Sequence, residues 1–304
     1  MTYSEIWHRI ATSYDDGEAR AIARILIEEL FGLSYADIVC GATEQLSADD
    51  TLRLDTAVRR IEQGEPLQHV LGYADFCGNR FSVNGSVLIP RPETEWLVDE
   101  GAKLMDGCIA SDETQHKAPH SPKRILDIGT GSGCIAISLK LRLGDAYVEA
   151  WDISEEALRT AQDNADALKA EVVFRKRDAL RADNTAAPWD LIVSNPPYIC
   201  DSERSAMDDN VLLHEPHTAL FVPDDDPLRF YRAIARYALL TLNTGGSLLF
   251  ECNTRYAEAT GKMLSDMGFE EVTVSDDCFN LPRFVRGSSP SQPSPSGRAW
   301  LPKA

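Results

Sequence analysis

The sequence predicts an α/β protein, a doubly wound sheet with helices on both faces, behind a small helical domain. Three observations predict it. Residues 124–143 read as strand, glycine-rich turn and helix, the opening of such a sheet. Short apolar runs then alternate with helix-length segments as far as residue 286. Apolar residues at helical spacing mark the first 72 positions.

Composition sets the bounds. A chain of 304 residues allows two domains and a well-buried core, and 43% apolar residues is ordinary for a globular chain. No run approaches the ~20 apolar residues of a membrane span. Met1–Glu5 lacks the basic-then-apolar pattern of a signal peptide, so a cytoplasmic protein with no membrane partner is expected. Seven cysteines, at 40, 77, 108, 134, 200, 252 and 278, include no Cys-x-x-Cys pair. They predict a reduced chain without a metal site. A net charge of -18 weighs against direct nucleic-acid binding, which normally uses a basic face. A local basic patch in an acidic chain stays open.

In chain order, residues 1–72 read as the helical domain. Ile22, Ile25, Leu26 and Leu30 recur at helical spacing before Gly32. Ser34 caps a short helix through Val39, and Ser47 caps a longer one whose apolar side is Leu52, Ala57 and Ile61. Residues 73–90 form a hairpin connector, with Arg80–Val83 and Ser86–Ile89 flanking Asn84-Gly85, a preferred type I′ pair. Pro90-Arg91-Pro92-Glu93-Thr94-Glu95 leads into a helix, with Thr94 or the carboxylates as its start. Residues 107–123, with His116 and His120, read as a solvated loop. The catalytic domain is expected over 91–287, and 288–304, rich in Ser and Pro, is expected to be disordered.

The chemistry concentrates in the sheet. Arg124–Ile128 is a strand, Gly129-Thr130-Gly131-Ser132-Gly133 the turn, and Cys134–Leu143 the helix. Val148–Trp151 is the second strand, ending in Asp152, where an acid reaches both ribose hydroxyls of a nucleoside. The spacing is Gly-x-Gly-x-Gly. It departs from the dinucleotide fingerprint at Cys134 and has no Gly-Lys-Ser/Thr of a P-loop. It suits S-adenosylmethionine, which has no pyrophosphate. Asp127 is placed to organise the turn and the methionine ammonium. Glu171–Arg175 is the third strand, and Asp178 just beyond it is placed to reach the adenine amino group.

The fourth strand, Asp190–Val193, ends in Ser194-Asn195-Pro196-Pro197-Tyr198. Two prolines force the chain out of the ladder. That turn offers the Asn195 side-chain oxygen and the Pro196 carbonyl as paired acceptors for a planar –NH2 group, with the Tyr198 ring to pack on it. An amide nitrogen is a poor nucleophile because its lone pair is delocalised. Gripping both hydrogens orients it for attack by positioning and electrostatics alone. In an open α/β sheet these residues converge at the carboxyl ends of the strands. His214-Glu215-Pro216-His217 reads as a structural turn, because Pro216 breaks any helix that would align the two histidines. A helix over Pro227–Leu240, a strand over Ser247–Glu251, a helix over Arg255–Met267 and a last strand pair near Val272–Val274 and Phe284–Arg286 complete the sheet.

Asp127-x-Gly-x-Gly-x-Gly, Asp152 and Asn195-Pro196-Pro197-Tyr198 resemble a Rossmann-like class I methyltransferase of the amino-methylating kind. Gly64-Glu65-Pro66-Leu67-Gln68-His69-Val70-Leu71-Gly72, Pro90–Glu95, and Glu215-Pro216 with Ala219-Leu220 resemble the HemK/PrmC family, over about residues 1–287. These are peptide chain release factor glutamine N5-methyltransferases. The resemblance implies that Gly129, Thr130, Gly131, Ser132, Gly133, Asp152 and Asp178, with Asn195, bind S-adenosylmethionine. It implies that Asn195, Pro196, Pro197 and Tyr198 hold the glutamine of the Gly-Gly-Gln loop of class I release factors, with the helical domain as the docking module. One departure is Ala179, where family members often carry an aromatic residue against adenine. Two neighbouring readings share the turn: a ribosomal-protein glutamine methyltransferase and an adenine-N6 nucleic-acid methyltransferase.

Overall fold

The computed structural model describes residues 1–110, 122–182 and 188–291. Five helices come first: α1 (Tyr3–Ile10), α2 (Asp16–Phe31), α3 (Tyr35–Val39), α4 (Ala48–Glu62) and α5 (Leu67–Leu71). The starts of the first four follow capping chemistry. Thr2 and Ser34 each form a reciprocal capping box, with Glu5 and Asp37, and Ser47 accepts from the Asp50 N–H. Gly32 ends α2 in the left-handed region at φ 66°. Ile6, Ile10, Leu26, Ile27, Val58 and Ile61 are fully buried together. Leu52, expected on the apolar side of α4, is 65% exposed. The buried stripe is Leu54, Ala57, Val58 and Ile61, the i, i+3, i+4, i+7 set; a residue five positions from Ala57 lies off it.

The hairpin lies earlier than expected. β1 (Tyr73–Phe76) pairs antiparallel with β2 (Asn79–Ser82), Phe76 opposite Asn79. Cys77 and Gly78 make the two-residue turn at φ 48° and 74°, the double positive φ of type I′. Neither Asn84 nor Gly85 has a positive φ. The helix over Glu155–Leu168 supplies the reason. Its Asn164 side chain takes both backbone groups of Ser82, at 2.7 and 3.0 Å, and Thr160 accepts from the Asn84 amide. Ser82 faces outward from β1, the Val83 N–H still donates to the Gly72 carbonyl at 3.1 Å, and the segment after it is held by that helix instead of folding back on itself.

α6 (Glu95–Ala110) follows and runs through residues 107–110, expected as loop; His116 and His120 lie outside the described residues. Next come β3 (Arg124–Ile128), α7 (Cys134–Leu143), β4 (Tyr147–Asp152), α8 (Glu155–Leu168), β5 (Val172–Lys176), β6 (Trp189–Ser194) and β7 (Ile199–Cys200). They continue with α9 (Asp209–His214), α10 (His217–Leu220), β8 (Phe221–Val222), α11 (Arg229–Thr241), β9 (Leu242–Glu251), α12 (Ala257–Met267), β10 (Glu270–Asp276) and β11 (Pro282–Ser288). The seven-stranded order is β10-β11-β9-β6-β3-β4-β5. The five strands from β9 to β5 are parallel, and β11 and β10 join antiparallel. Alternate strand residues serve opposite faces. Ile125, Leu191, Val193 and Leu249 pack with Leu97 and Val98 of α6 and Ile135 and Leu139 of α7. Leu126, Ile192, Leu248 and Phe250 pack with Tyr231 and Ile234 of α11 and Leu264 of α12. This is the two-faced burial that parallel strands require.

Residues 288 and 289, expected to be disordered, are held by the sheet. Ser288 pairs with Ser247, and the Ser289 N–H donates to the Gly246 carbonyl at 2.7 Å, both serines being buried. β9 starts five residues earlier than expected, at Leu242, so its edge reaches far enough to hold them. Residues 292–304 lie outside the described residues.

Candidate active site

The chain turns twice at the carboxyl ends of the central strands. β3 lies between β4 and β6, where the winding reverses direction and where open α/β sheets bind ligands. After β3, the Gly129 and Thr130 N–H groups both donate to the Trp151 carbonyl of β4, at 2.8 and 2.9 Å. This sews the glycine turn to the neighbouring strand. Gly131 has φ 54°, and a Cβ there would meet nothing within 4 Å, so the position is open to an approaching ligand. At Gly133 the requirement is packing: a Cβ would lie 2.9 Å from Ile137 Cδ1 and 3.1 Å from Ala161 Cβ. Ser132 is buried, its carbonyl accepting from the Asn164 amide at 2.9 Å.

Two carboxylates frame this turn. Asp127 is fully buried in β3 and accepts from the Thr130 hydroxyl at 2.6 Å, while its other oxygen makes no full hydrogen bond, the Ala136 N–H of α7 bearing on the carboxyl only loosely. Burial pushes it up to about 7, with the Thr130 hydrogen bond opposing and the Asp152 charge adding. Asp152 ends β4 and accepts from the Gly131 and Ser154 N–H groups, each at 2.9 Å. Burial raises it as well, against those bonds. Each Asp152 oxygen keeps a lone pair for a ligand hydroxyl. Asp178 stands one strand further out, after β5, where it accepts from Leu180 N–H and starts a short 3-10 turn over Ala179–Arg181. Ala179 is partly buried against the α11 side of the core.

The Asn-Pro-Pro-Tyr turn closes the other side. Ser194 Oγ donates to the Ile128 carbonyl at 2.6 Å, locking the end of β6 to the end of β3. A Cβ on Gly129 would lie 3.9 Å from the Asn195 carbonyl oxygen, so the two turns touch. Tyr198 N–H donates to Leu220, and β7 pairs with β8 just beyond it. Asn195 Nδ2 donates to Thr94 Oγ1 at 3.3 Å, while Asn195 Oδ1 is buried with no partner. An unpaired buried acceptor is costly, and native proteins keep one chiefly where a ligand will meet it. Burial, then the nearby Glu251, drive the Tyr198 phenol well above its ordinary value, so its hydroxyl stays protonated.

Two residues of this cluster were not expected. Glu251, 1% exposed at the end of β9, accepts from Thr94 Oγ1 at 2.7 Å and from the Tyr198 hydroxyl at 3.4 Å. Burial raises its carboxyl, the Thr94 bond opposing. An acid closing an apolar strand was the available signal, as at Asp152. Thr94, 3% exposed, faces the site rather than serving only as a helix start. Nearby, Glu215 is buried and accepts from Ile89 N–H and from Arg91 at 2.5 Å, which ties the loop before Thr94 to the segment after α9. The orphaned Asp127 oxygen, the open Gly131 and the spare lone pairs of Asp152 fit a cationic, hydroxyl-bearing nucleoside such as S-adenosylmethionine.

Fold and site together define a methyltransferase of the Rossmann-like class. The hMettl16 catalytic domain, solved in complex with MAT2A 3'UTR hairpin 6, matches with a TM-score of 0.51 at 17% identity, over 81% of this chain and 83% of that one, a likeness of fold. Residues 8–72 match the PrmC N-terminal domain and residues 96–220 the methyltransferase small domain. The release factor glutamine methyltransferase of Bacteroides thetaiotaomicron is 43% identical over 273 residues, 90% of this chain and 93% of its own length. That of Flavobacterium psychrophilum is 36% identical over 281 residues, covering 91% and 94%. The chain belongs to the release factor glutamine methyltransferase family.

Proposed function

We propose that the protein methylates the side-chain amide nitrogen of the glutamine in the Gly-Gly-Gln loop of class I peptide chain release factors, with S-adenosylmethionine as donor. The observation that carries this reading is the buried, unpartnered Asn195 Oδ1 beside the glycine turn. Asn195 Oδ1 and the Pro196 carbonyl accept the two hydrogens of the substrate amide, and Tyr198 packs on its plane. Held this way, the nitrogen lone pair is directed at the crevice instead of being shared with its carbonyl. Gly129–Gly133 and Asp152 hold the donor, with Asp152 on its ribose and Asp127 near its ammonium; Asp178 reaches its adenine. When bound, S-adenosylmethionine supplies a methyl group on a sulfonium that departs as a neutral thioether. The amide nitrogen gains that carbon and loses one proton to solvent, and no buried base of the chain is needed.

The helices over residues 3–71 dock the release factor, and the reaction belongs to the cytoplasm, where translation ends. No helix among the described residues is long and apolar enough to cross a membrane. The reading is tested by methyl transfer from labelled S-adenosylmethionine with a purified release factor, ribosomal proteins, DNA and RNA offered side by side. Label on the Gly-Gly-Gln glutamine, located by peptide mass spectrometry, is the expected result. Label on a ribosomal protein or on nucleic acid alone overturns the substrate assignment.

A further inference from the structure

We propose that Glu251 and Thr94 are positioning residues that dictate which end of the Asn195 amide faces the substrate. The inference rests on the proposed amide acceptor. Asn195 follows β6, Thr94 precedes α6 and Glu251 ends β9, so three distant segments meet here. A side-chain amide has an acceptor end and a donor end of nearly the same shape, and packing alone does not tell them apart. Only one end suits the reaction. The substrate –NH2 brings two hydrogens, so Asn195 must present oxygen.

The chain of hydrogen bonds sets that choice. A carboxylate only accepts, so Glu251 takes the single hydroxyl hydrogen of Thr94, at 2.7 Å. Thr94 is left with lone pairs to offer. Only the Nδ2 end of Asn195 can meet them, at 3.3 Å. Oδ1 is thereby turned away from Thr94 and left unpaired. With the amide reversed, an oxygen would face the lone pairs of Thr94 and a donor would face the donors of the substrate. Glu251 thus transmits its polarity through two bonds to a substrate it does not touch. Its other oxygen accepts from the Tyr198 hydroxyl only at 3.4 Å, so the Thr94 bond is the short one that uses this buried acid, and burial of an acid is costly unless it is used or satisfied.

The test compares Thr94→Val, Thr94→Ser, Glu251→Gln and the Thr94→Val/Glu251→Gln pair. Valine keeps the shape and removes the hydroxyl. Thr94→Val is expected to lower kcat on the release factor about 10- to 100-fold. S-adenosylmethionine affinity by calorimetry stays within about twofold, while the melting temperature falls by a few degrees because the buried Glu251 loses its closest donor. Thr94→Ser restores most of the rate. Gln keeps an acceptor but adds a donor, so Glu251→Gln loses rate by weakening the direction of the chain. The double variant is expected to lose clearly less than the product of the two single losses, because the Thr94 hydroxyl carries the route from Glu251 to Asn195 and only the longer 3.4 Å bond to Tyr198 lies outside it. A Thr94→Val enzyme with kcat within about twofold of wild type, or losses that multiply in the double variant, overturns the proposal and leaves the reaction standing. A wild-type enzyme that methylates no glutamine overturns the functional reading, and this inference with it.

Discussion

In the helical domain, Asp55 and Glu62 both receive hydrogen bonds from Arg9 at 2.7 Å, and Glu65 is held by Arg60 at 2.6 Å. These partners draw all three carboxyls below their ordinary range. At the carboxyl ends of the strands, Asp127, Asp152 and Glu251 are shifted the other way, and in each the leading cause is burial. One region neutralises its charges against neighbours at the rim of its core. The other withdraws its charges from water and leaves acceptors incompletely used. The contrast separates groups that hold a fold together from groups that face a ligand or, like Glu251, orient one that does.

The sharpest way to break that contrast is to remove the unused acceptor. Asn195→Ala should slow methyl transfer by about 10²- to 10³-fold, the scale of losing one preorganised contact to a reacting group, while cofactor affinity holds. A near-normal rate would mean that the orphaned oxygen has no ligand to meet. The next effect concerns stability. Asp127 titrates at about 7 in the folded protein against 3.8 ordinarily, so the folded state keeps a proton that the unfolded chain has given up. Its contribution is full below pH about 4 and is lost as pH rises to about 7. Asp127→Asn should therefore gain on the wild type by about 3 kcal/mol between pH 5 and pH 8 in urea unfolding without cofactor. Parallel pH profiles of the two proteins would place Asp127 with the surface carboxylates instead.

Asp152→Ala should weaken S-adenosylmethionine binding by about 1.5–3 kcal/mol, and unchanged affinity in calorimetry would remove the ribose contact. The smallest effect belongs to the helical domain. Arg9→Met should cost about 1 kcal/mol of stability and nothing in methyl transfer per folded enzyme, because its ion pairs are partly exposed. A loss of several kcal/mol would show that those pairs carry more than a rim normally does.

Much of this was legible in the chain. The glycine turn, Asp152 and the Asn195 turn are local motifs whose geometry follows from glycine, proline and strand ends, and the sheet brings them together. What was not legible depended on partners far away. Asn84-Gly85 carries the stronger turn signal, yet Cys77-Gly78 makes the turn, and Ser82 and Asn84 are held instead by Asn164 and Thr160, 82 and 76 residues away in the chain. Leu52 reads as apolar face and is exposed, because two residues of helical phase decide between core and solvent. Thr94 and Glu251 are 157 residues apart, and nothing within either stretch announces their hydrogen bond.

The strand order also constrains how the molecule comes into being. β11 lies between β9 and β10, so β10 has no place in the sheet until a later segment has docked. A nascent chain that has emerged only as far as Asp276 carries every residue of the proposed site, yet the flank of β9 that Phe284–Ser288 will cover is still bare. That flank is a row of unpaired backbone N–H and C=O groups along an apolar stretch, Leu248, Leu249 and Phe250. Synthesis thus passes through a stage at which a sticky sheet edge is presented before its cover exists. Any truncation ahead of residue 282 would make that transient hazard permanent.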